Sequence, residues 1–319
     1  MTGFSLRPFT WADLPAVTDI YNDTRKRAND LRTYTDIQFK NMRLSALNDT
    51  LSLEDVNIVA VSIDGEVIGI ANLFVEADFT DIFAEITVKE GASEGGAVEN
   101  ALLGWFETQA LKLVQQHATH RQLKQSIGLY ERQKALHKAV EEHGYTFLRG
   151  YYRMQIPLYQ PIQELPFPPQ LQIHPMQTSD ARPVFEADQL AFSTVSGMTP
   201  ASFEEWKRDF IETSDFQPRY MIAAWDGDQV VGSCLGREMG AEGHERIGYI
   251  RNLSITPTWR GKGLAQALLH YVLRAFQDEH LKVAGLGVAT DNEPAIQLYK
   301  KAGMSPASQQ LIYQKEILF

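Results

Sequence analysis

Thr256-Pro257-Thr258-Trp259-Arg260-Gly261-Lys262-Gly263-Leu264-Ala265 is the stretch whose reading decides the fold of this 319-residue chain. Upstream of it, Ile247 to Ile255 reads as a strand. Downstream, Ala265, Leu268, Leu269, Val272, Leu273 and Phe276 recur at helical spacing, so a helix is expected to about Gln277. A glycine-rich turn between a strand and a helix points several backbone N–H groups at one place. The unbonded N–H groups of the first helical turn join them, and the helix dipole makes that place favourable for an anion. Arg260 and Lys262 add positive charge. The stretch therefore reads as a pyrophosphate cradle. It is not a P-loop, because Gly263 is followed by Leu264 where Lys is required. It is not a dinucleotide fingerprint either, because Gln266 stands at the third glycine. Alone, such a turn also fits an ordinary strand-to-helix connection.

The chain repeats itself. Leu6-Arg7-Pro8-Phe9-Thr10-Trp11-Ala12-Asp13 returns 167 positions later as Ile173-His174-Pro175-Met176-Gln177-Thr178-Ser179-Asp180. Both read as a strand, a turn and a helix whose first turn holds Asp13 or Asp180. A hairpin follows in each half. Ile58 to Ile70 turns at Asp64-Gly65, and Tyr220 to Leu235 turns at Asp226-Gly227. Next come a strand and a long helix, carrying Val98, Ala101, Leu102, Trp105 and Phe106 in the first half. A strand, a short helix stopped at Gly144 or Gly303, and a final strand pair close each half. The fold class is α/β: two tandem domains, each a mixed, mostly antiparallel sheet flanked by helices.

Ile156 to Pro169 holds five of the chain's 14 prolines, so it continues neither sheet nor helix and acts as a semi-rigid linker. The expected layout is a domain over residues 1–160, a Pro-rich linker over 161–170 and a second domain over 171–319. No leader-like or membrane-spanning apolar run is found, so the expected compartment is the cytoplasm. The single cysteine, Cys234, leaves no intrachain disulfide or cysteine metal cluster to form, and it sits in an apolar strand as a packed thiol. A net charge of −10 argues against nucleic acid as partner and suits either plain solubility or the steering of cationic substrates.

Arg260, Gly263 and Ala265 fit Arg-x-x-Gly-x-Ala, which resembles the acyl-CoA signature of the GNAT superfamily of N-acetyltransferases. Two further motifs of that family match in order across residues 171–319. Leu253-Ser254-Ile255 lies on the strand before the cradle, and Asn292-Glu293-Pro294-Ala295-Ile296-Gln297-Leu298-Tyr299 matches Asn-x-x-Ala-x-x-Leu-Tyr. The resemblance implies that the backbone of Leu253, Ser254 and Ile255 pairs with pantetheine amides, as a ligand adding to a sheet edge. It implies that Arg260, Gly261, Lys262, Gly263, Leu264 and Ala265 hold the pyrophosphate, and that Asn292 contacts the pantetheine arm besides capping its helix. It implies that Tyr299 returns a proton to the departing thiolate. The co-substrate implied is acetyl-CoA, without a metal, and the acceptor is a small primary amine. A strand glutamate often serves as base in the family. Here that strand reads Gly248-Tyr249-Ile250-Arg251-Asn252, which leaves Glu238, His244 and Glu245 as neighbours in sequence. The acceptor region expected from the fold is Phe192 to Ile211, where Phe203, Trp206 and Phe210 alternate with Glu204, Glu205 and Asp209.

The first half keeps the pattern and loses the chemistry. Glu94, Ala97 and Glu99 replace Arg260, Gly263 and Ala265, Val140 replaces Tyr299, and Gln133 or a neighbour replaces Asn292. Two carboxylates repel a pyrophosphate, so this domain is expected to be non-catalytic. The tandem layout is similar to that of mycothiol synthases, without substrate-specific residues in common. A non-catalytic acyl-CoA sensor and a peptidyl transferase using aminoacyl-tRNA are the competing readings. The missing basic surface weighs against the latter.

Overall fold

The computed structural model describes residues 3–45, 47, 50–117, 122–193, 202–213, 216–240 and 246–318. In the first half, β1 (Phe4–Pro8) leads to α1 (Leu14–Arg27), α2 (Asp36–Ser45) and the single turn α3 (Leu53–Val56). The hairpin β2 (Asn57–Ser62) and β3 (Val67–Val75) follows, then β4 (Asp81–Val88), α4 (Ala97–His117), β5 (Gln122–Tyr130), α5 (Lys134–Glu142) and β6 (Thr146–Pro157). The second half repeats this with β7 (Gln172–Pro175), α6 (Ala181–Phe192), α7 (Phe203–Phe210), β8 (Met221–Asp226), β9 (Gln229–Met239) and β10 (Ile247–Ile255). It continues with α8 (Leu264–Asp278), β11 (Val283–Ala289), α9 (Glu293–Lys301) and β12 (Ser305–Leu318). Both hairpins form where Asp-Gly marks the turn. Each half ends on one long strand rather than the expected pair, because β6 and β12 continue unbroken for 12 and 14 residues. No described helix is long and apolar enough to cross a membrane.

The chain divides into two compact units. The first unit takes residues 1–153, 289–291 and 307–319, and the second takes 154–288 and 292–306. In the first unit the strand order is β1-β2-β3-β4-β5-β12, so its sheet is completed by the chain's last strand. β12 runs antiparallel to β5, from Gln310 opposite Tyr130 to Leu318 opposite Gln122. Its alternation is the cause: Leu311 and Tyr313 are buried in the core that α4 and α5 cover. An alternating strand shows that it has a buried face. It does not show which sheet edge it joins.

In the second unit the strand order is β11-β10-β9-β8-β7. Only β10 and β11 are parallel, as expected for strands joined through a helix. The Pro-rich segment lies along α8. Gln277 donates to the carbonyls of Leu158 and Gln160 at 2.7 and 2.8 Å, and His270 Nδ1 lies 2.9 Å from the carbonyl of Gln163. α8 docks on the sheet through Phe276, which is fully buried. A Cβ on Gly248 of β10 would lie only 2.3 Å from the Phe276 ring, and one on Gly236 of β9 only 2.8 Å from it. Neither close approach survives a side chain. Gly248→Ala is therefore expected to push α8 off β10 and destabilise the fold by about 1–3 kcal/mol, read from urea unfolding. An unchanged midpoint would show that Phe276 does not set this distance.

Candidate active site

The site grows out of the place where β10 leaves β11. The two strands pair only from Gly248–Ile250 to Ala284–Leu286. Beyond Ile250, β10 keeps pairing with β9 alone, and its register breaks between Ile250 and Asn252. Asn252 to Ile255 thus have one unpaired backbone edge. Peptide groups left open in this way seek a partner, and an extended amide-bearing ligand supplies one.

The turn after β10 is built on two left-handed residues, Gly261 at φ 74° and Gly263 at φ 79°. No protein atom lies within 4 Å of a Cβ built on either. The glycines are therefore required by backbone conformation, and the space beside them is open. Gly263 caps α8, and the first bond inside that helix is Ala267 N–H to Gly263 C=O at 3.1 Å. The N–H groups of residues 264–266 precede it and form the anion-facing end of the helix. A cavity of about 660 Å3 opens here. Its size suits a small-molecule site. Nine of the ten expected binding residues line it: Leu253, Ser254, Ile255, Arg260, Gly261, Gly263, Leu264, Ala265 and Asn292. Ala191 and Phe192 of α6 and Ala295 and Leu298 of α9 close it.

Two expected residues stand elsewhere. Lys262 is outside the lining, and its ammonium lies over the Trp259 ring at 4.5 Å. Tyr299 is also outside the lining and partly buried on α9. Burial and the neighbouring Cys234 push its phenol well above the ordinary value, which keeps it protonated at neutral pH. Arg260 is partly committed, donating from Nη2 to the carbonyl of Ala191 at 2.6 Å near the C-terminus of α6. Asn292 accepts from the Ala295 N–H at 3.3 Å, as a helix cap does. Lys301, which sequence reasoning passed over, lines the same cavity as Arg260. Among the described residues the lining carries these two cations and no carboxylate, and so matches an anionic ligand.

In the acceptor region the aromatics at helical spacing pack as core residues, the commoner role for that spacing. Trp206 is buried in a core that Phe203 and Phe210 pack against, so the apolar stripe of α7 faces inward. Residues 194–201 of that region lie outside the described residues, as do His244 and Glu245. Glu238 is paired with Arg246 at 2.6 Å. Cys234 is fully buried, and burial pushes its thiol far up.

One residue escaped sequence reasoning altogether. Asp188 of α6 is 3% exposed and accepts four hydrogen bonds. Trp206 Nε1 and Asn252 Nδ2 donate to Oδ2 at 3.1 and 2.6 Å. The hydroxyls of Ser233, at 3.1 Å, and Ser254 donate to Oδ1. Asn252 and Ser254 belong to the open segment of β10, so the carboxylate grips that segment from behind. A lone Asp on an amphipathic helix carries no signal of this.

In the first unit the same place keeps a smaller cavity, about 240 Å3, whose polar side chains bond to the protein's own groups. Gln133, at the position of Asn292, accepts from the Tyr130 N–H at 2.8 Å and donates to the Ile86 carbonyl at 3.2 Å. It thus bridges β5 and β4 where they part. At the start of α4, Ser93 accepts from the Val98 N–H at 3.1 Å and donates to Glu99. Val140, at the position of Tyr299, is fully buried.

A strand edge left open, a left-handed glycine turn and a helix start thus surround one cationic cavity. Residues 183–304 match the Acetyltransferase (GNAT) family model. A mycothiol acetyltransferase of Geodermatophilus obscurus is 27% identical over 260 residues, covering 78% of this chain and 79% of that protein. A mycothiol acetyltransferase of Corynebacterium glutamicum is 28% identical over 109 residues, about a third of either chain at 34%. The fold is shared with a GCN5-related N-acetyltransferase from Sphaerobacter thermophilus, at a TM-score of 0.81 and 23% identity over 99% of this chain and 96% of that one. It is shared too with a tandem GNAT protein from the clavulanic acid biosynthesis pathway, at a TM-score of 0.67 and 14% identity over 98% of both chains. Residues 183–304 thus match the GNAT acetyltransferase family, and the chain as a whole shares the fold of GNAT proteins, one of them a tandem form.

The Asp188 clamp makes a prediction with a sign. Burial pushes its carboxyl up to about 6, against the four donors that pull it down. The unfolded chain ionises near pH 4, so between about pH 4 and 6 the folded form holds the extra proton. Stability from this group therefore rises as pH falls through 6. Asp188→Asn keeps an oxygen toward Trp206 and Asn252, and the two serine hydroxyls can turn to accept from its NH2. The expected result is a folded Asp188→Asn protein against which the parent gains on the order of 1 kcal/mol between pH 7 and pH 5. Asp188→Leu strands four donors and is expected to cost about 3 kcal/mol. Urea unfolding at the two pH values checks both. Equal stability of the Asn and Leu variants would remove the clamp.

Proposed function

We propose that the second unit transfers an acetyl group from acetyl-CoA to a primary amine of a small molecule, by direct attack of the amine on the thioester. The observation that carries the reading is the convergence of the open β10 edge, the glycine turn and the start of α8 on one cavity lined by Arg260 and Lys301. Acetyl-CoA supplies the thioester and an anionic handle. The chain's part is to hold the anion at residues 260–265, to align the pantetheine arm along Leu253 to Ile255 and Asn292, and to polarise the thioester carbonyl through free N–H groups of β10. Tyr299, kept protonated by burial, is the group that returns a proton to the thiolate. The catalytic assignment is to the domain over residues 171–319, and the first domain serves as a non-catalytic partner.

One observation favours a second reading, binding without turnover: Tyr299 is not among the residues that line the cavity. Release of free thiol from acetyl-CoA over a panel of polyamines, amino sugars, amino acids and peptide N-termini separates the two. Turnover with at least one amine is expected, and Tyr299→Phe is expected to lower kcat about 100-fold while leaving CoA affinity unchanged. No thiol release with any amine would leave the binding reading in place. Calorimetric titration with CoA is expected to give one site per chain, because Gln133, Ser93 and Glu99 occupy the corresponding place in the first unit. Two sites would overturn that assignment.

A further inference from the structure

The buried face of α6 consists of Ala181, Val184, Ala187, Ala191 and one charged residue, Asp188. Taking a carboxylate out of water is costly, and a well-packed apolar residue at such a place is commonly no less stabilising. Stability alone therefore does not account for an acid here. What a buried carboxylate with four donors does supply is a fixed position for each donor.

The four donors fall into two pairs. Trp206 Nε1 of α7 and the Ser233 hydroxyl of β9 come from elements that are held elsewhere. The Trp206 ring stacks on Phe210 at 5.0 Å, and β9 pairs with β8 on one side and β10 on the other. Asn252 Nδ2 and the Ser254 hydroxyl come instead from the segment of β10 that has lost β11. A strand paired on one side alone is free to twist more than one paired on both. Two side chains on one face, two residues apart and held by one carboxylate, oppose that twist. Just upstream, Arg251 donates to the Asp209 carbonyl and lays its guanidinium 4.2 Å from the Phe210 ring centre, so α7 holds the segment at a second point.

The register fixes where the free groups of this segment point. Thr256 N–H donates to the Val231 carbonyl at 3.0 Å. Hydrogen-bonded pairs alternate along an antiparallel ladder. Stepping back by two, Ser254 opposite Ser233 and Asn252 opposite Leu235 are the pairs that bond across to β9. Leu253, opposite Cys234, and Ile255, opposite Gly232, fall between them and turn their N–H and C=O groups away from β9, to the open edge. Leu253 and Ile255 both line the cavity. The two residues that Asp188 grips thus bracket Leu253, whose peptide groups face the ligand side.

We propose that Asp188 is a positioning residue for the pantetheine arm of acyl-CoA: by holding Asn252 and Ser254 it sets the rotation of the free β10 segment, and with it the direction of the Leu253 N–H and C=O groups that receive the arm. The role rests on the acyl-CoA reading of the cavity. None of the four donors belongs to the cradle at residues 260–265, so the two halves of CoA depend on the clamp unequally.

Calorimetric titration of the full chain with CoA and with 3′-phospho-ADP, which is CoA without its pantetheine arm, tests the role. Asn252→Ala and Asp188→Leu are expected to weaken CoA about tenfold, the scale of one or two lost hydrogen bonds, and to leave 3′-phospho-ADP unchanged. Asp188→Asn keeps a partner for each of the four groups and is expected to bind CoA within about threefold of the parent. Ser233→Ala removes a donor on β9 rather than on the free segment, and is expected to lower the urea midpoint while CoA affinity stays. A parent that binds CoA, with Asn252 and Asp188 variants that lose neither ligand or lose both alike, overturns the role and leaves the acyl-CoA reading standing. A parent that binds neither ligand overturns that reading and the role with it. Asn252→Ala keeps the test decisive if Asp188→Leu fails to fold.

Discussion

The parting of β10 from β11 is the constraint on which the second unit depends. Two parallel strands that stop pairing after three residues leave peptide groups without partners in the middle of a sheet. The protein must either satisfy those groups itself or keep them apart for something else to satisfy. In the second unit it keeps them apart. β9 holds β10 from one side through a shifted register, and Asp188 holds the side chains of Asn252 and Ser254 from behind. The cost is a carboxylate buried beneath the sheet. Its four donors offset much of that cost, and the two that point from Trp206 and Ser233 tie α7 and β9 to the same point.

The first unit meets the same constraint with the opposite solution. β4 pairs with β5 over five residues and with β3 without a break in register. Where β4 and β5 part, Gln133 spans the gap with its own amide. A glutamine side chain is a peptide group on a short tether, so it makes internally the bonds that an open edge offers to a ligand. At the start of α4, a serine hydroxyl takes the helix N–H that would otherwise point at an anion. One architecture is thus open or closed according to a few polar side chains at the parting, which is why fold alone does not carry function.

Much of this was legible in the sequence. The cradle, both hairpins and the long helices are local: glycine, Asp-Gly and helical periodicity act within a few residues of themselves. Eight of the nine cradle and strand positions meet at one cavity because neighbours in sequence stay neighbours around a tight turn. What was not legible depends on distance along the chain. Asp188 finds Ser233, Asn252 and Ser254 across 45, 64 and 66 positions. β12 reads as an alternating strand whichever sheet it joins, and its pairing with β5 is decided by Leu311 and Tyr313 fitting a core that lies far earlier in the sequence. The break in β10 was hidden for a related reason. Arg251 looks like a strand residue, and only the strands on either side define it as the extra one.

The two units also divide their positive charge differently. In the second, Arg260 and Lys301 stand at the cavity, where solvent and a diffusing anion both reach them. Exposure keeps such charges inexpensive, and a helix start beside them adds to their attraction. In the first, Arg25 and Arg43 are withdrawn behind aromatic rings. There a charge is screened little by water, so each guanidinium exerts a stronger field on its neighbours. The duplicated fold therefore places its cations in two ways, one within reach of solvent at a helix start, the other against aromatic rings in the interior.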